Sequence, residues 1–133
     1  NYPKPGKRPR SSMCPTIILT AEGKPFAVLG TPGGEAIVST MTQVIVNLID
    51  YEMPVYEAIS VPRIHQNYDS DLIAEGDIQQ EVLESLEVLG HSITKRNAMD
   101  AYFGGVHAIV RNNNETFTGA ADPRRDGKAI GCN

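Results

Sequence analysis

Short apolar runs lie near both ends of the chain, a pattern typical of β-strands, and the run at 106–111 alternates between the two faces of a half-buried strand. Near the start, runs at 16–19 and 25–29 flank a short turn that contains Gly23, which predicts an antiparallel hairpin. Near the end, a polar turn at 112–115 separates two further runs and predicts a second hairpin. The other predicted strands cover residues 91–96, 106–111 and 116–121.

Apolar residues recur at helical spacing in the middle of the chain. Residues 35–50 carry the broadest apolar stripe and predict a long helix, and residues 54–60 predict a short second one. Asp77 with Gln80 three residues later matches a capping box, so a third helix is expected to begin there and to stop at Gly90.

Residues 64–76 show neither pattern, contain several acidic side chains, and are expected to be irregular. Hairpins and helices are therefore segregated along the chain, without a βαβ alternation, which predicts an α+β fold. Val38 and Val46 widen the stripe of the long helix, so we expect that helix to be buried on more than one side. The isolated chain is then expected to associate.

Length and composition restrict the classes of protein to consider. The 133 residues suffice for one domain, and 41% hydrophobic with 21% charged residues is ordinary for a folded one rather than a disordered one. No apolar run approaches the length of a membrane span. Because the chain starts with Asn1 rather than Met, we expect it to be a piece of a longer protein.

The net charge of −4 is unevenly distributed. Residues 1–10 hold four of the twelve basic side chains and none of the sixteen acidic ones, so residues 11–133 carry a net charge of −8. An acidic body argues against a nucleic-acid partner. The prolines of residues 1–10 favour an extended linker arm, although a basic patch that binds polyanions is the alternative.

Two pairs of residues could carry chemistry. Gly33 and Gly34 stand between a predicted strand and the start of the long helix, where unobstructed amides and the helix dipole can bind an anion or form an oxyanion hole. Ser11 and Ser12 can hold a carboxylate through neutral hydrogen bonds. The structural alternatives are a tight connection at the two glycines and a polar turn at the two serines. These residues alone exclude neither alternative.

The remaining candidates favour structural roles. The three histidines lack metal-ligand spacing, and we expect them at the surface or in packing; the residues are His65, His91 and His107. Cys14 and Cys132 can form one bridge or stay as thiols, and the sequence favours neither. Asp122, followed by two arginines, predicts an ion pair that fixes the C-terminal segment. No nucleophile elbow, phosphate loop, dinucleotide motif or metal motif is present, so no cofactor and no metal are implied.

Several segments together resemble the C-terminal part of the γ-glutamyltranspeptidase small subunit. The likeness covers essentially the whole chain, with residues 1–10 as the arm and 11–133 as the small-subunit part. The matching stretches are residues 5–9 (PGKRP), 11–16 (SSMCPT), 30–34 (GTPGG), 57–65 and 120–125 (AADPRR).

The resemblance implies a partial αββα sandwich of the N-terminal-nucleophile hydrolases, with antiparallel sheets between flanking helices. It also implies an autoprocessed transferase and hydrolase that forms a γ-glutamyl-threonine ester from donors such as glutathione. The group then passes to an amino acid, a peptide or water. In this family the serine pair that matches Ser11 and Ser12 holds the donor carboxylate, and the glycine pair that matches Gly33 and Gly34 supplies the oxyanion-hole amides.

The chain also departs from the family pattern. The resemblance places the nucleophilic threonine, the large subunit and the N-terminal part of the small subunit upstream of Asn1, so the isolated chain is expected to be inactive. Residues 131–133 differ from the family's usual ending. An acylase, a poly-γ-glutamate depolymerase or a non-catalytic binding or assembly remnant are the alternatives. The resemblance implies work outside the cytoplasm.

Overall fold

The computed structural model describes residues 2–67 and 71–131, and within these ranges the chain forms seven β-strands and three α-helices. The strands are β1 (Thr16–Leu19), β2 (Pro25–Gly30), β3 (Ile64–Gln66), β4 (Leu72–Ala74), β5 (Ile93–Lys95), β6 (His107–Arg111) and β7 (Phe117–Ala121). The helices are α1 (Ile37–Ile49), α2 (Val55–Ser60) and α3 (Gln80–Val88). Short 3-10 turns cover Gly34–Ala36 and Ala101–Phe103. The α+β class is confirmed.

The larger sheet contains four antiparallel strands in the order β1-β2-β6-β7. Both predicted hairpins are present. In the first, Gly23 adopts a φ of 78° and its N–H donates to the carbonyl of Thr20 over 2.9 Å, a conformation that glycine tolerates best. The register between β1 and β2 places Thr16 opposite Leu29, so the start of β1 lies beside the end of β2.

The smaller sheet, in the order β3-β4-β5, corrects the sequence analysis. The prediction that residues 64–76 are irregular was wrong, because β3 and β4 form an antiparallel pair there. Strands β4 and β5 are parallel and are joined through α3, so one βαβ unit exists where none was expected. Strands of three residues are too short to show an alternating pattern.

The expected capping box of α3 is also wrong. The helix begins at Gln80, its N-cap is Gln79, and no side chain caps it. The N–H of Ile78 donates to the carbonyl of Glu75 over 3.2 Å and closes a turn, so Asp77 lies before the helix rather than at its cap. The predicted stop is correct, since Gly90 has a φ of 95° and donates to the carbonyl of Glu87.

Helices α1 and α2 cover one face of the larger sheet and form the core with it. The core residues of this layer are Ala27, Leu29, Ile37, Met41, Val44, Leu48, Val55, Ala58, Ile59, Val106, Ala108 and Ala120. Val38 and Ile49 of α1 are exposed, so the expectation that this helix is buried on several sides holds only in part. Within the described residues, no helix combines the length and apolar content needed to cross a bilayer.

The opposite face of the larger sheet is apolar and exposed. Its side chains come from all four strands and point the same way, because they occupy alternate positions that face one another across the register. They are Ile17, Leu19, Val28, Ile109 and Phe117. We call this set the open sheet face.

Candidate functional site

The segment that contains Ser11 and Ser12 (the serine segment) and the turn that contains Gly33 and Gly34 (the glycine turn) meet at one end of the larger sheet. The Oγ of Ser12 donates a hydrogen bond to the carbonyl oxygen of Gly34 over 2.6 Å. This contact follows from the hairpin, because residues just before β1 and residues just after β2 leave the sheet at the same end. The hydroxyl of Ser11 accepts a hydrogen bond from the N–H of Met13 over 3.1 Å. The structure thus brings Ser12 and Gly34 together, with Ser11 one residue away.

The glycine turn has a backbone that other residues rarely adopt. Gly33 has a φ of 144° and Gly34 a φ of 56°. A Cβ on Gly33 would lie 3.3 Å from the Cα of Gly104, whereas a Cβ on Gly34 would meet nothing. Within the described ranges, neither Gly33 nor Gly34 donates its amide N–H to a protein acceptor. Two such amides before a helix can receive an oxyanion or a carboxylate.

A second loop, which contains Gly104 and Gly105 (the second glycine loop), packs against this turn. The N–H of Gly105 donates to the Oγ1 of Thr31 over 2.9 Å, and that hydroxyl donates to the carbonyl of Pro32 over 2.7 Å. Gly104 has a φ of 96°, and a Cβ there would lie 2.7 Å from the carbonyl oxygen of Pro32. Only glycine allows the two loops to approach so closely.

Four fully buried charged side chains form a network of two cations and two anions. Arg63 binds Asp122 over 2.7 Å, and Arg124 binds Asp122 over 3.0 Å and Glu75 over 2.6 Å. Their charges sum to zero, which is the condition under which buried ions are tolerated. The predicted ion pair of Asp122 is confirmed with Arg124. The second arginine, Arg125, instead donates to the carbonyls of Gly104 and Ala101.

The ion network also holds the backbone of the second glycine loop. The Nη1 of Arg63 and the Oγ1 of Thr40 both donate to the carbonyl of Phe103, over 2.9 and 2.8 Å. Burial opposes the ionisation of Asp122, but the N–H of Arg124 and the charge of Arg63 outweigh it and lower the pKa of Asp122 below its ordinary value. The carboxylate therefore stays charged at neutral pH.

His65 has the packing role predicted for the histidines. It is 5% exposed, its Nδ1 lies 2.8 Å from the Oγ of Ser39, and its ring meets Tyr102 edge-on at 6.0 Å between centroids. His107 has its Nδ1 3.2 Å from the carbonyl oxygen of Gly105. The sequence analysis assigned no role to Ser39, which lies in the first turn of the helix after Gly34.

The described residues contain no group of three His, Cys, Asp or Glu side chains that could hold a metal ion. Cys14, in the serine segment, is exposed, and its Sγ lies 3.7 Å from the Oγ1 of Thr16. Cys132 lies outside the described residues, so the question of a bridge stays open. The site is therefore made of backbone amides and hydroxyl groups.

Comparisons with known proteins agree with one another. The family model described as Gamma-glutamyltranspeptidase matches residues 1–132. The chain is 39% identical over 134 residues to a glutathione hydrolase proenzyme of Bacillus subtilis strain 168, covering all of the chain and 22% of that protein. It is 37% identical over 126 residues to an acylase ACY 1 proenzyme of Pseudomonas sp. strain SE83, covering 95% and 22%. The chain thus spans about a fifth of the length of these relatives.

A solved structure shows the same fold. The γ-glutamyltranspeptidase of Pseudomonas nitroreducens, solved in complex with L-DON, aligns with a TM-score of 0.85 at 29% identity. The alignment covers 98% of this chain and 67% of that one.

Proposed function

The chain belongs to the γ-glutamyltranspeptidase family, and we propose that the protein of which it forms part transfers γ-glutamyl groups through an acyl-enzyme. The donors are γ-glutamyl amides such as glutathione, and the acceptors are amino acids, peptides or water. The observation that carries this proposal is the 2.6 Å hydrogen bond from Ser12 to Gly34. It joins a candidate carboxylate clamp to a candidate oxyanion hole.

The first step divides the work between this chain and the segment upstream of it. A threonine at the start of the mature small subunit attacks the γ-carbonyl carbon, and its hydroxyl proton passes to its own α-amine. The amides of Gly33 and Gly34 stabilise the oxyanion of the tetrahedral intermediate. Ser11 donates a hydrogen bond to the α-carboxylate of the donor, and Ser12 does so once its single hydroxyl hydrogen turns from the carbonyl of Gly34 to that carboxylate.

Collapse of the intermediate completes the acylation. The C–N bond breaks, the leaving amine takes the proton from the threonine ammonium, and a γ-glutamyl-threonine ester remains. An acceptor amine or water then attacks the ester carbonyl, gives its proton to the threonine amine and releases the threonine hydroxyl. Both steps pass through an oxyanion at the same position, so the same two amides serve both.

The experiment compares the full-length, processed protein with the isolated chain. We expect the full-length protein to release p-nitroaniline from γ-glutamyl-p-nitroanilide and the isolated chain to release none. Ser12→Ala should raise KM about tenfold by removing a hydrogen bond to a charged group. Ser60→Ala is the matched control, because the Ser60 hydroxyl donates only to the carbonyl of Tyr56 within α2.

Two results would contradict the proposal. A full-length protein that neither turns over the substrate nor binds glutamate would favour a non-catalytic binding or assembly module. Turnover by the isolated chain would show that the upstream segment is not needed.

The similarity to an acylase proenzyme supports a second candidate. Glutaryl-p-nitroanilide and γ-glutamyl-p-nitroanilide share the carboxylate that Ser11 and Ser12 would bind and differ only in the α-amino group. A preference of at least about tenfold for the glutaryl compound would assign the protein to the acylases. A preference for the γ-glutamyl compound would support the transferase. A poly-γ-glutamate depolymerase would instead shorten the polymer.

The proposal includes a location and a set of partners. We propose that the large subunit and the N-terminal part of the small subunit complete the enzyme, and that it works outside the cytoplasm. Support comes from the family resemblance. Fractionation of cells that express the full-length gene tests the location, and activity confined to the cytoplasm would contradict it.

A further inference from the structure

The pair formed by the half-buried Ser39 and the buried His65 is not used in the chemistry proposed above. Ser39 lies in the first turn of α1, directly after the 3-10 turn Gly34–Ala36. Its Oγ donates to the carbonyl of Ala36 over 3.1 Å and lies 2.8 Å from the Nδ1 of His65 on β3. The pair therefore connects the small sheet to Ala36, the last residue of that 3-10 turn.

The hydrogen bond from Ser39 to Ala36 goes together with one tautomer of the imidazole. A serine hydroxyl has one hydrogen, and when that hydrogen goes to the carbonyl of Ala36, the Ser39 oxygen accepts from the Nδ1 of His65. The Nε2 of His65 is buried and has no hydrogen-bond partner among the described residues. In this tautomer the hydrogen bonds run in one direction, from His65 through Ser39 to Ala36.

The position of the imidazole is itself fixed from both sides. Gln43 of α1 donates to the carbonyl of Ile64 over 2.9 Å and accepts from the N–H of the same residue over 3.0 Å. This double contact ties β3 to α1 one residue before His65. The edge of the Tyr102 ring packs against the imidazole on the other side. The imidazole thus cannot turn away from Ser39 without losing its contact with the Tyr102 ring.

Ala36 is linked to the Gly34 amide through one backbone hydrogen bond and one planar peptide unit. The N–H of Ala36 donates to the carbonyl of Gly33 over 3.1 Å. That carbonyl shares a planar peptide unit with the N–H of Gly34, so a bond to one fixes the direction of the other. Any shift of Ala36 therefore re-aims the Gly34 amide, which the proposed oxyanion hole depends on.

We propose that His65 and Ser39 are positioning residues that hold the Gly34 amide in the direction required by the oxyanion. This inference rests on the proposed function. The hydrogen bonds from His65 through Ser39 to Ala36, which we call the relay, act on the Gly34 amide. That amide is needed to stabilise the transition state rather than to bind the substrate. Loss of the relay should therefore lower kcat about tenfold and leave KM within about twofold.

The experiment uses the full-length, processed protein with γ-glutamyl-p-nitroanilide. Ser39→Ala removes the relay, and Ser39→Thr keeps the hydroxyl. His65→Asn keeps an N–H donor near the Nδ1 position, and His65→Gln places its amide near the Nε2 position instead. Ser85→Ala is the matched control, since its Oγ donates to the carbonyl of Glu81 within α3 in the same manner as an ordinary helical serine.

Activity is expressed as kcat per active site, with the sites counted from the initial burst of p-nitroaniline, so that unfolded or unprocessed protein does not enter the value. We expect Ser39→Ala and His65→Gln to lose about tenfold, and Ser39→Thr, His65→Asn and Ser85→Ala to stay within about twofold.

Each other outcome overturns the inference. Values of Ser39→Ala and His65→Gln within twofold of the unaltered protein would show that the relay has no part in turnover. Equal losses in His65→Asn and His65→Gln would show that the imidazole acts by its packing alone. Absence of turnover by the unaltered protein would overturn the proposed function as well, and so is distinguishable from the first two.

Discussion

The guanidinium of Arg63 lies 2.7 Å from the carboxylate of Asp122, although 59 residues separate them along the chain. Both side chains are fully buried. The pair joins the segment before β3 to the segment after β7, and Arg63 continues to the carbonyl of Phe103. A charge network in the protein interior therefore supports the loop on which the glycine turn rests.

Removing one charge of this network should strongly destabilise the protein. Asp122→Asn leaves Arg63 and Arg124 with a single buried carboxylate, and we expect the free energy of unfolding to fall by about 3–5 kcal/mol. Urea denaturation at pH 7 measures it. Glu115→Gln is the control, since it breaks the exposed ion pair with Arg111 and should cost less than about 1 kcal/mol. Equal effects of the two substitutions would contradict the role of burial.

The same carboxylate should make stability depend on acid pH. A carboxylate whose pKa is lower in the folded than in the unfolded chain contributes stability above the unfolded pKa of about 3.9. That contribution is lost as the pH falls through the folded pKa. The difference in unfolding free energy between the unaltered protein and Asp122→Asn should therefore be constant from pH 7 to about 5 and shrink below about 4. Denaturation curves between pH 7 and 3 measure it, and an unchanged difference would refute the lowered pKa of Asp122.

The two glycines of the turn should respond differently to alanine. Gly33→Ala combines a φ of 144° with a contact of 3.3 Å to the Cα of Gly104, so we expect a loss of about 2–3 kcal/mol in stability. Gly34→Ala has a φ of 56° and open space around its Cβ, and should cost about 1 kcal/mol. Thermal unfolding gives the comparison. A larger loss in Gly34→Ala would contradict the geometry of the turn.

The open sheet face should make the isolated chain associate. Ile17 and Phe117 on this face are 65% and 67% exposed, and contiguous apolar surface of this kind favours contact with another surface. We expect light scattering to show dimers or larger species that decrease when Ile17 and Phe117 are both replaced by Lys. Val88→Lys is the control, because Val88 is exposed on α3 and belongs to none of the four strands of that sheet.

A monodisperse monomer of the unaltered chain would contradict this expectation. So would an equal effect of Val88→Lys, because the association would then not depend on the sheet face.

The sequence was informative wherever the relevant signal is local. The hairpin around Gly23 and the helical stop at Gly90 depend on a few adjacent residues, and both were predicted correctly. The strands β3 and β4 were missed because three residues carry too little alternation, and because the second partner of β4 is β5, about twenty residues away. The capping box is absent because the carbonyl of Glu75 accepts a hydrogen bond from the N–H of Ile78. This bond closes a turn that places Asp77 before the helix.

The candidate site shows the same division. Gly33, Gly34, Ser11 and Ser12 were predicted as site residues from short motifs and from a family resemblance, and their roles stay predictions. The contacts of Asp122 with Arg63, of Arg124 with Glu75 and of Ser39 with His65 could not be predicted, because Arg63, Glu75 and His65 reach their partners from other parts of the fold. Nothing in the neighbouring residues signals such contacts.

The charge network has a consequence for the order in which the chain is made. Arg63 and Glu75 leave the ribosome long before Asp122 and Arg124 do, so during synthesis the two earlier charges remain in water. Only when the last hairpin has emerged can all four charges be buried together. Docking of the small sheet against the large one therefore follows the emergence of Asp122, and a nascent chain that stalls before Asp122 should remain accessible to chaperones and proteases.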